Sequence, residues 1–397
     1  MDLSLPAGFQ WSALHCGIKQ DASCPDYVLV CCDEGTTAAG VYTRNRVFAA
    51  PVAWDRERTP ATDIRVIVVN SGNANACTGE QGWQDVQAMA ASAAAACEAG
   101  VDQALVMSTG IIGEYLPMDK ILPAASQAVA QLGSDQAAFM AAATGILTTD
   151  QGPKVASRIL EVDGRSIQLV GMAKGAGMIG PNMATMLAVV MTDAVIDCDD
   201  LQTSLGRAVD QSFNCISVEG HTSTNDTVLL LASGASGGTP LTGDALKQFC
   251  EVLDAICVDL AKQIPADGEG ASHLITIDVQ GANSREDARQ IAQTVANSNL
   301  VKAGVAGADP NWGRIISAVG YAGVEIDPDQ VRVAINGVSL YQQGAPLDFD
   351  IAEVSASIAG SMETSIVVEL DSGTAAARFW TSDLTADYVR FNSEFHT

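Results

Sequence analysis

Short β-branched or aliphatic runs alternate along the chain with alanine-rich stretches of helical period, and this predicts a mixed α/β protein. The runs at 27–32 and 38–42 flank a turn-prone Asp33-Glu-Gly-Thr36 and read as strands. The run at 64–70 is a stronger strand candidate, because its β-branched side chains suit a pleated, packed surface. Residues 82–99 are rich in alanine and read as a helix able to approach a sheet closely, with Gly100 as its stop. A strand at 105–112 runs into a glycine turn, and helices are expected at 123–132 and 134–144.

Further strands are expected at 166–170, 183–191, 216–218 and 226–232, with a helix at 198–212. Leu246, Phe249, Leu253, Ile256 and Leu260 recur at alternating three- and four-residue steps, which predicts one long helix over 244–262. Residues 274–279 alternate like a half-buried strand. The turn at 281–285 marks the expected domain boundary. It separates a main catalytic α/β domain, 1–280, from a smaller α/β domain, 281–397. The smaller domain is expected to hold a helix at 286–297 and strands at 323–325, 331–335 and 366–370. The tail from 388 carries a Tyr and two Phe and is expected to dock.

Composition narrows the function classes. Of the 397 residues 48% are apolar and 17% charged, enough to fill a core and too apolar for wholesale disorder. The net charge of -26 opposes nucleic acid and anionic membrane, so neither is expected as a partner. It also repels anionic metabolites at long range, so a site for one must carry its own cations. Ten irregularly spaced cysteines without a secretory segment predict free thiols and a cytoplasmic location. No apolar run long enough for a membrane span is seen.

The most informative segment is Lys174-Gly-Ala-Gly-Met-Ile-Gly-Pro-Asn-Met-Ala-Thr-Met-Leu187. A threonine hydroxyl is a poor nucleophile unless a base lies beside it, and a terminal amine on the same residue can be that base. Thr185 would gain one if the Ala184–Thr185 bond were cut by attack of its own hydroxyl on the Ala184 carbonyl. The competing reading is a glycine-rich loop that leads into a core strand. Acyl transfer also needs donors for the developing oxyanion, and Thr109 and Gly110 within Ser108-Thr-Gly-Ile-Ile-Gly113 are suited to this. Lys174 could neutralise a carboxylate, Glu269 could hold an ammonium, and the threonines of Thr148-Thr-Asp150 add hydroxyls. The sequence carries no P-loop, C-x-x-C, H-E-x-x-H, calcium loop or nucleophile elbow, so no cofactor and no metal are expected.

Six segments resemble the glutamate N-acetyltransferase (ornithine acetyltransferase, ArgJ) family. They are Val69-Asn-Ser-Gly-Asn-Ala-Asn-Ala76, Ser108-Thr-Gly-Ile-Ile-Gly113, Met172-Ala-Lys-Gly-Ala-Gly-Met178, Met183-Ala-Thr-Met-Leu187, Ser223-Thr-Asn-Asp-Thr227 and Gly307-Ala-Asp-Pro-Asn-Trp-Gly-Arg314. The resemblance runs from about Gly8 to Thr397. It implies autocleavage between Ala184 and Thr185, then ping-pong transfer of acetyl from N2-acetylornithine to L-glutamate through an acetyl ester on Thr185. It implies Thr109 and Gly110 as the oxyanion pair, and Thr148, Lys174, Thr185, Glu269, Asn392 and Thr397 as substrate contacts, with Thr149 the alternative to Thr148. It also implies a DmpA/ArgJ-like layered alpha-beta-beta-alpha fold and a heterotetramer of two alpha and two beta fragments. Alternatives are a bifunctional enzyme that also uses acetyl-CoA, or an N-terminal-nucleophile amidohydrolase or aminopeptidase. The sequence departs from the family pattern at His221, at His273 and over 11–25, changes that could retune the pocket's charge.

Overall fold

The computed structural model describes residues 2–180 and 186–394. Its core is four layers. Strands Phe9–Leu14, Tyr27–Cys32, Val66–Asn73 and Ala104–Ile111 form the first sheet in that order, with the last pair parallel. The second sheet orders Thr37–Tyr42, Thr227–Ala232, Leu187–Thr192, Arg165–Lys174 and Lys154–Val162.

These strands read as continuous apolar runs because both faces of each sheet are covered. Tyr27 and Leu29 pack with Val86, Met89 and Ala90 of helix Gly79–Ala96 and with Ile121 of helix Met118–Val129. Their neighbours Val28 and Val30 point the other way, toward Val170, Met172, Val189 and Leu229 of the second sheet. In that sheet Leu229 and Leu231 face the first sheet, while Val228 and Leu230 face helices Cys198–Gln211 and Gly243–Ala266. The two-residue alternation of strand side chains thus builds helix, sheet, sheet, helix, the layered α/β architecture expected.

A third, seven-stranded sheet orders Ala345–Pro346, Val338–Gln342, Arg332–Ile335, Glu363–Glu369, Leu274–Ala282, Ala375–Ser382 and Ile216–Ser217. Helices Arg285–Ala296 and Trp312–Gly320 cover it, and one buried cluster joins it to the outer face of the second sheet. The boundary expected at 281 therefore falls inside strand Leu274–Ala282, which pairs with Glu363–Glu369 and Ala375–Ser382. A smaller C-terminal unit is a proposal that fits better with its start in the turn before Leu274. Residues 323–325 form no strand, although Val324 and Ile326 still pack on the core. The tail docks as helix Ala386–Glu394, with Tyr388 against the core.

All ten cysteines are free thiols, and Cys31 Sγ and Cys97 Sγ lie 2.6 Å apart. Among the described residues no helix is long and apolar enough to cross a membrane, and no group of three His, Cys, Asp or Glu could hold a metal ion.

Candidate active site

Strand ends from both sheets open onto one cavity of about 680 Å³. Val66–Asn73 and Ala104–Ile111 deliver Gly72, Asn73, Thr109 and Gly110, while Arg165–Lys174 delivers Lys174. Gly110 pairs with Gly72 and has φ +133°, and a Cβ there would lie 2.2 Å from the Gly72 carbonyl carbon. Only glycine fits so close an approach.

Lys174 forms the floor, its side chain 2% exposed. Its Nζ donates to Thr109 Oγ1 at 3.3 Å and lies 4.0 Å from Asp150 Oδ2. Burial holds the Lys174 ammonium below its ordinary value, and Asp150 opposes that effect. The Asp150 side chain is itself fully buried and accepts from Lys154 Nζ and from the Gly175 N–H, both at 2.6 Å, and from the Thr148 N–H at 3.1 Å. Burial alone would raise its pKa, but Lys174 and Lys154 outweigh that and bring it to about 2. Lys154 continues the chain of charges to Asp267 at 2.6 Å.

Across the cavity stands Glu269. Its Oε1 accepts from Thr149 Oγ1 at 2.7 Å and its Oε2 from Asn392 Nδ2 of the tail helix at 3.1 Å. A Cβ on Gly177 would lie 2.5 Å from the Glu269 carboxyl, so the glycine-rich stretch leaves room for that acid. The cavity thus has a cationic floor and an anionic wall.

Ser223, Thr224 and Asn225 close another side. Asn225 Nδ2 donates to Ala74 O at 2.7 Å and to Ser108 O at 2.8 Å, which ties this loop to the two glycine-bearing strand ends. The next residue, Asp226, is fully buried, and its Oδ1 accepts from the Met186 N–H at 2.9 Å. Burial pushes the Asp226 carboxyl well above its usual range.

These features coincide with sequence relatedness along the whole chain. The model of the ArgJ family matches residues 10–397. Arginine biosynthesis bifunctional protein ArgJ of Rhodopirellula baltica is 44% identical over 396 residues, covering 99% of this chain and 96% of that one. The protein of the same name from Symbiobacterium thermophilum is 44% identical over 398 residues, covering 100% and 98%. The crystal structure of arginine biosynthesis bifunctional protein ArgJ from Bacillus halodurans, at 40% identity, covers 52% of this chain and 98% of that chain with a TM-score of 0.51. The chain belongs to the ArgJ family. It is an acyltransferase.

Of the residues singled out in the sequence, Thr109, Gly110, Thr148, Lys174, Glu269 and Asn392 all line the one cavity. The alternative Thr149 lines it too, and it is Thr149 whose hydroxyl reaches Glu269. Ala184, Thr185 and Thr397 lie outside the described residues. Neither unusual histidine lines the cavity. His273 bonds behind it to Asp383 Oδ2 and the Ile358 carbonyl, both at 3.2 Å, and His221 is exposed beside Glu219. The 307–314 motif lies elsewhere, in the turn between helices Asn299–Ala306 and Trp312–Gly320, where Asn311 caps the second helix. Sequence reasoning missed Asn225 and Asp226 as individual residues, and it missed Asp150 as the counter-charge of Lys174. The scarcity of lysine, with Lys154 four residues after Asp150, was the available signal for Asp150.

Proposed function

We propose that the chain cuts itself between Ala184 and Thr185 and then moves acetyl from N2-acetylornithine to L-glutamate by a ping-pong route through Thr185. The observation that carries this reading is the cavity's charge arrangement. Lys174 lies on the floor beside Thr109, and Glu269 lies on the wall, held by Thr149 and Asn392. An amino acid with one carboxylate and one ammonium matches both.

In the first step Thr185 Oγ attacks the Ala184 carbonyl carbon, the peptide C–N bond breaks, and water hydrolyses the resulting ester. The freed α-amine, with a reference pKa of about 7.7–8.0, accepts the hydroxyl proton in later turnovers. Thr185 Oγ then attacks the acetyl carbon of N2-acetylornithine, and ornithine leaves with the proton. The glutamate α-amine attacks the acetyl ester, and N-acetylglutamate leaves. The Thr109 hydroxyl and Gly110 N–H serve as donors to the tetrahedral oxyanion. Lys174 sits beside Thr109, so its charge favours the anion that forms there. Lys174 and Glu269 hold the substrate's charges, Thr148 and Asn392 bound its pocket, and Thr397 completes the tail's contribution. The two fragments pair as two alpha and two beta chains, in a reducing cytoplasm that suits ten free thiols.

The test combines intact mass with product analysis. Fragments ending at Ala184 and beginning at Thr185, and an acetyl ester trapped on Thr185, are expected. Thr185→Ala removes the hydroxyl required in both steps and leaves an uncut, inactive chain. A fully active Thr185→Ala enzyme refutes the mechanism. Acetate formed without N-acetylglutamate, when both substrates are supplied, makes the enzyme an amidohydrolase. Turnover of acetyl-CoA without N-acetylornithine adds a second donor, a reading favoured by the word bifunctional in the relatives' name.

A further inference from the structure

The donor and the acceptor of the proposed exchange share an α-carboxylate and an α-nitrogen but differ at the far end. Ornithine ends in an ammonium and glutamate in a carboxylate. Glu269 with its two donors suits the ammonium and repels the carboxylate. Lys174 is committed near the reacting centre through Thr109. A second cation is therefore needed for the acceptor, and the protein's overall charge of -26 makes the need sharper.

The chain has only seven lysines, and three of them, Lys19, Lys120 and Lys174, line the cavity. Among the described residues no arginine lines it. The three form a series from buried Lys174 through half-buried Lys19 to exposed Lys120. The wall that carries Lys19 is fixed from beneath. The buried Asp26 carboxylate accepts the backbone N–H groups of Cys16 at 2.6 Å, Gly17 at 3.2 Å, Ile18 at 2.8 Å and Lys19 at 2.9 Å. Both ammonium groups are tethered to this segment by backbone carbonyls. Lys19 Nζ donates to Pro25 O at 2.8 Å, and Lys120 Nζ donates to Gly17 O at 3.0 Å. An ammonium has three N–H donors, so each keeps two. Among the described residues the lysines in ion pairs are Lys154, Lys174 and Lys262, and neither Lys19 nor Lys120 is one of them. Burial holds the Lys19 ammonium below its ordinary value, with Cys24 and Asp26 opposing this and Lys174 adding to it.

We propose that Lys19 and Lys120 form a second anion subsite at the cavity mouth, which takes the side-chain carboxylate of the acceptor amino acid. The subsite rests on the exchange reading above and adds the residues that select an acidic acceptor. It also gives the atypical 11–25 segment a role, because Gly17, Ile18, Lys19 and Gln20 line the cavity.

Lys19→Gln keeps a polar side chain and removes the charge. The KM for glutamate is expected to rise on the order of tenfold with kcat nearly unchanged, since a ground-state contact to the acceptor is lost. The preference for glutamate over glutamine should fall by a similar factor. Acetyl-enzyme formation from N2-acetylornithine without glutamate should be unaffected. Lys120→Gln should act in the same direction more weakly, and the double variant more strongly. Lys247→Gln, at an exposed lysine outside the cavity, controls for net charge. If Lys19→Gln fails to fold or to be cleaved, exposed Lys120 carries the test alone. An unchanged glutamate KM and glutamate-to-glutamine ratio in the folded variants overturns the subsite. A raised KM for acetyl-CoA with glutamate unaffected assigns the lysines to phosphate and likewise overturns it. A wild-type enzyme that exchanges no acetyl at all instead refutes the underlying reading.

Discussion

Replacing Asp150 with Asn tests the charge chain beneath the cavity. The Asp150 side chain is fully buried, and Lys174 and Lys154 bring its pKa from 3.8 to about 2. A tenfold change in proton affinity corresponds to about 1.4 kcal/mol, so the ionised carboxylate contributes on the order of 2 kcal/mol to folding at neutral pH. The folded-state value lies below the unfolded one. The contribution is therefore complete above about pH 5, is reduced by about half at pH 3, and is lost as pH falls through 2. With an unfolding entropy of about 2.1 cal/mol/K per residue, the loss lowers the melting temperature at pH 7 by about 2 °C. The variant also leaves Lys174 without its carboxylate, so this figure is a lower bound. Thermal melts of wild type and Asp150→Asn at pH 7, 5 and 3 are the assay. The gap should be equal at pH 7 and 5 and visibly narrower at pH 3. Equal melting temperatures at pH 7, or a gap that does not narrow, refute the electrostatic account.

Thr109→Val keeps the shape of the side chain and removes its hydroxyl, so steady-state kinetics should give a kcat lower by a factor of roughly 10²–10³ with little change in KM. If Glu269 pairs with the ornithine ammonium as proposed, Glu269→Gln should raise the KM for N2-acetylornithine on the order of tenfold and should leave that for glutamate equal or lower. Diamide, which takes two hydrogens from a thiol pair, should link Cys31 to Cys97 and lower the intact mass by about 2 Da. Peptide mapping without reductant checks this, since their sulfurs are 2.6 Å apart.

Much of the fold was legible because its strands are buried on both faces and its long helices have wide apolar stripes. The 244–262 periodicity marks a helix that runs as Gly243–Ala266 and buries Phe249, Leu253, Ile256 and Leu260. What was missed lies where local polarity hides an element. Strand Lys154–Val162 is the edge of its sheet and exposes Arg158, Ile159 and Glu161, so it does not read as a buried run. Strand Ala375–Ser382 begins with half-exposed alanines, and helix Trp312–Gly320 is bounded by glycine and proline. The glycine-rich motifs pointed to the right strand ends. They could not reveal Lys19, which reaches the cavity only because Asp26 gathers four N–H groups ahead of it in the chain.

The strand order also explains how a cut between 184 and 185 could leave a working enzyme. Every strand of the first sheet precedes the proposed cut, and every strand of the third sheet follows it. The second sheet draws from both sides. Arg165–Lys174 pairs with Leu187–Thr192 from Leu169↔Thr192 to Lys174↔Leu187, and Thr37–Tyr42 pairs with Thr227–Ala232 along its full length. Two ladders of backbone hydrogen bonds therefore join what would become separate fragments. The shared core of Val28, Val30, Val170, Val189 and Leu229 adds apolar burial across the same division. Asn225, from the later part, binds the carbonyls of Ala74 and Ser108, from the earlier part, at the cavity itself. A broken peptide bond removes one covalent link and none of these contacts. Residues from Gly17 to Asn392 can thus stay in register around one cavity.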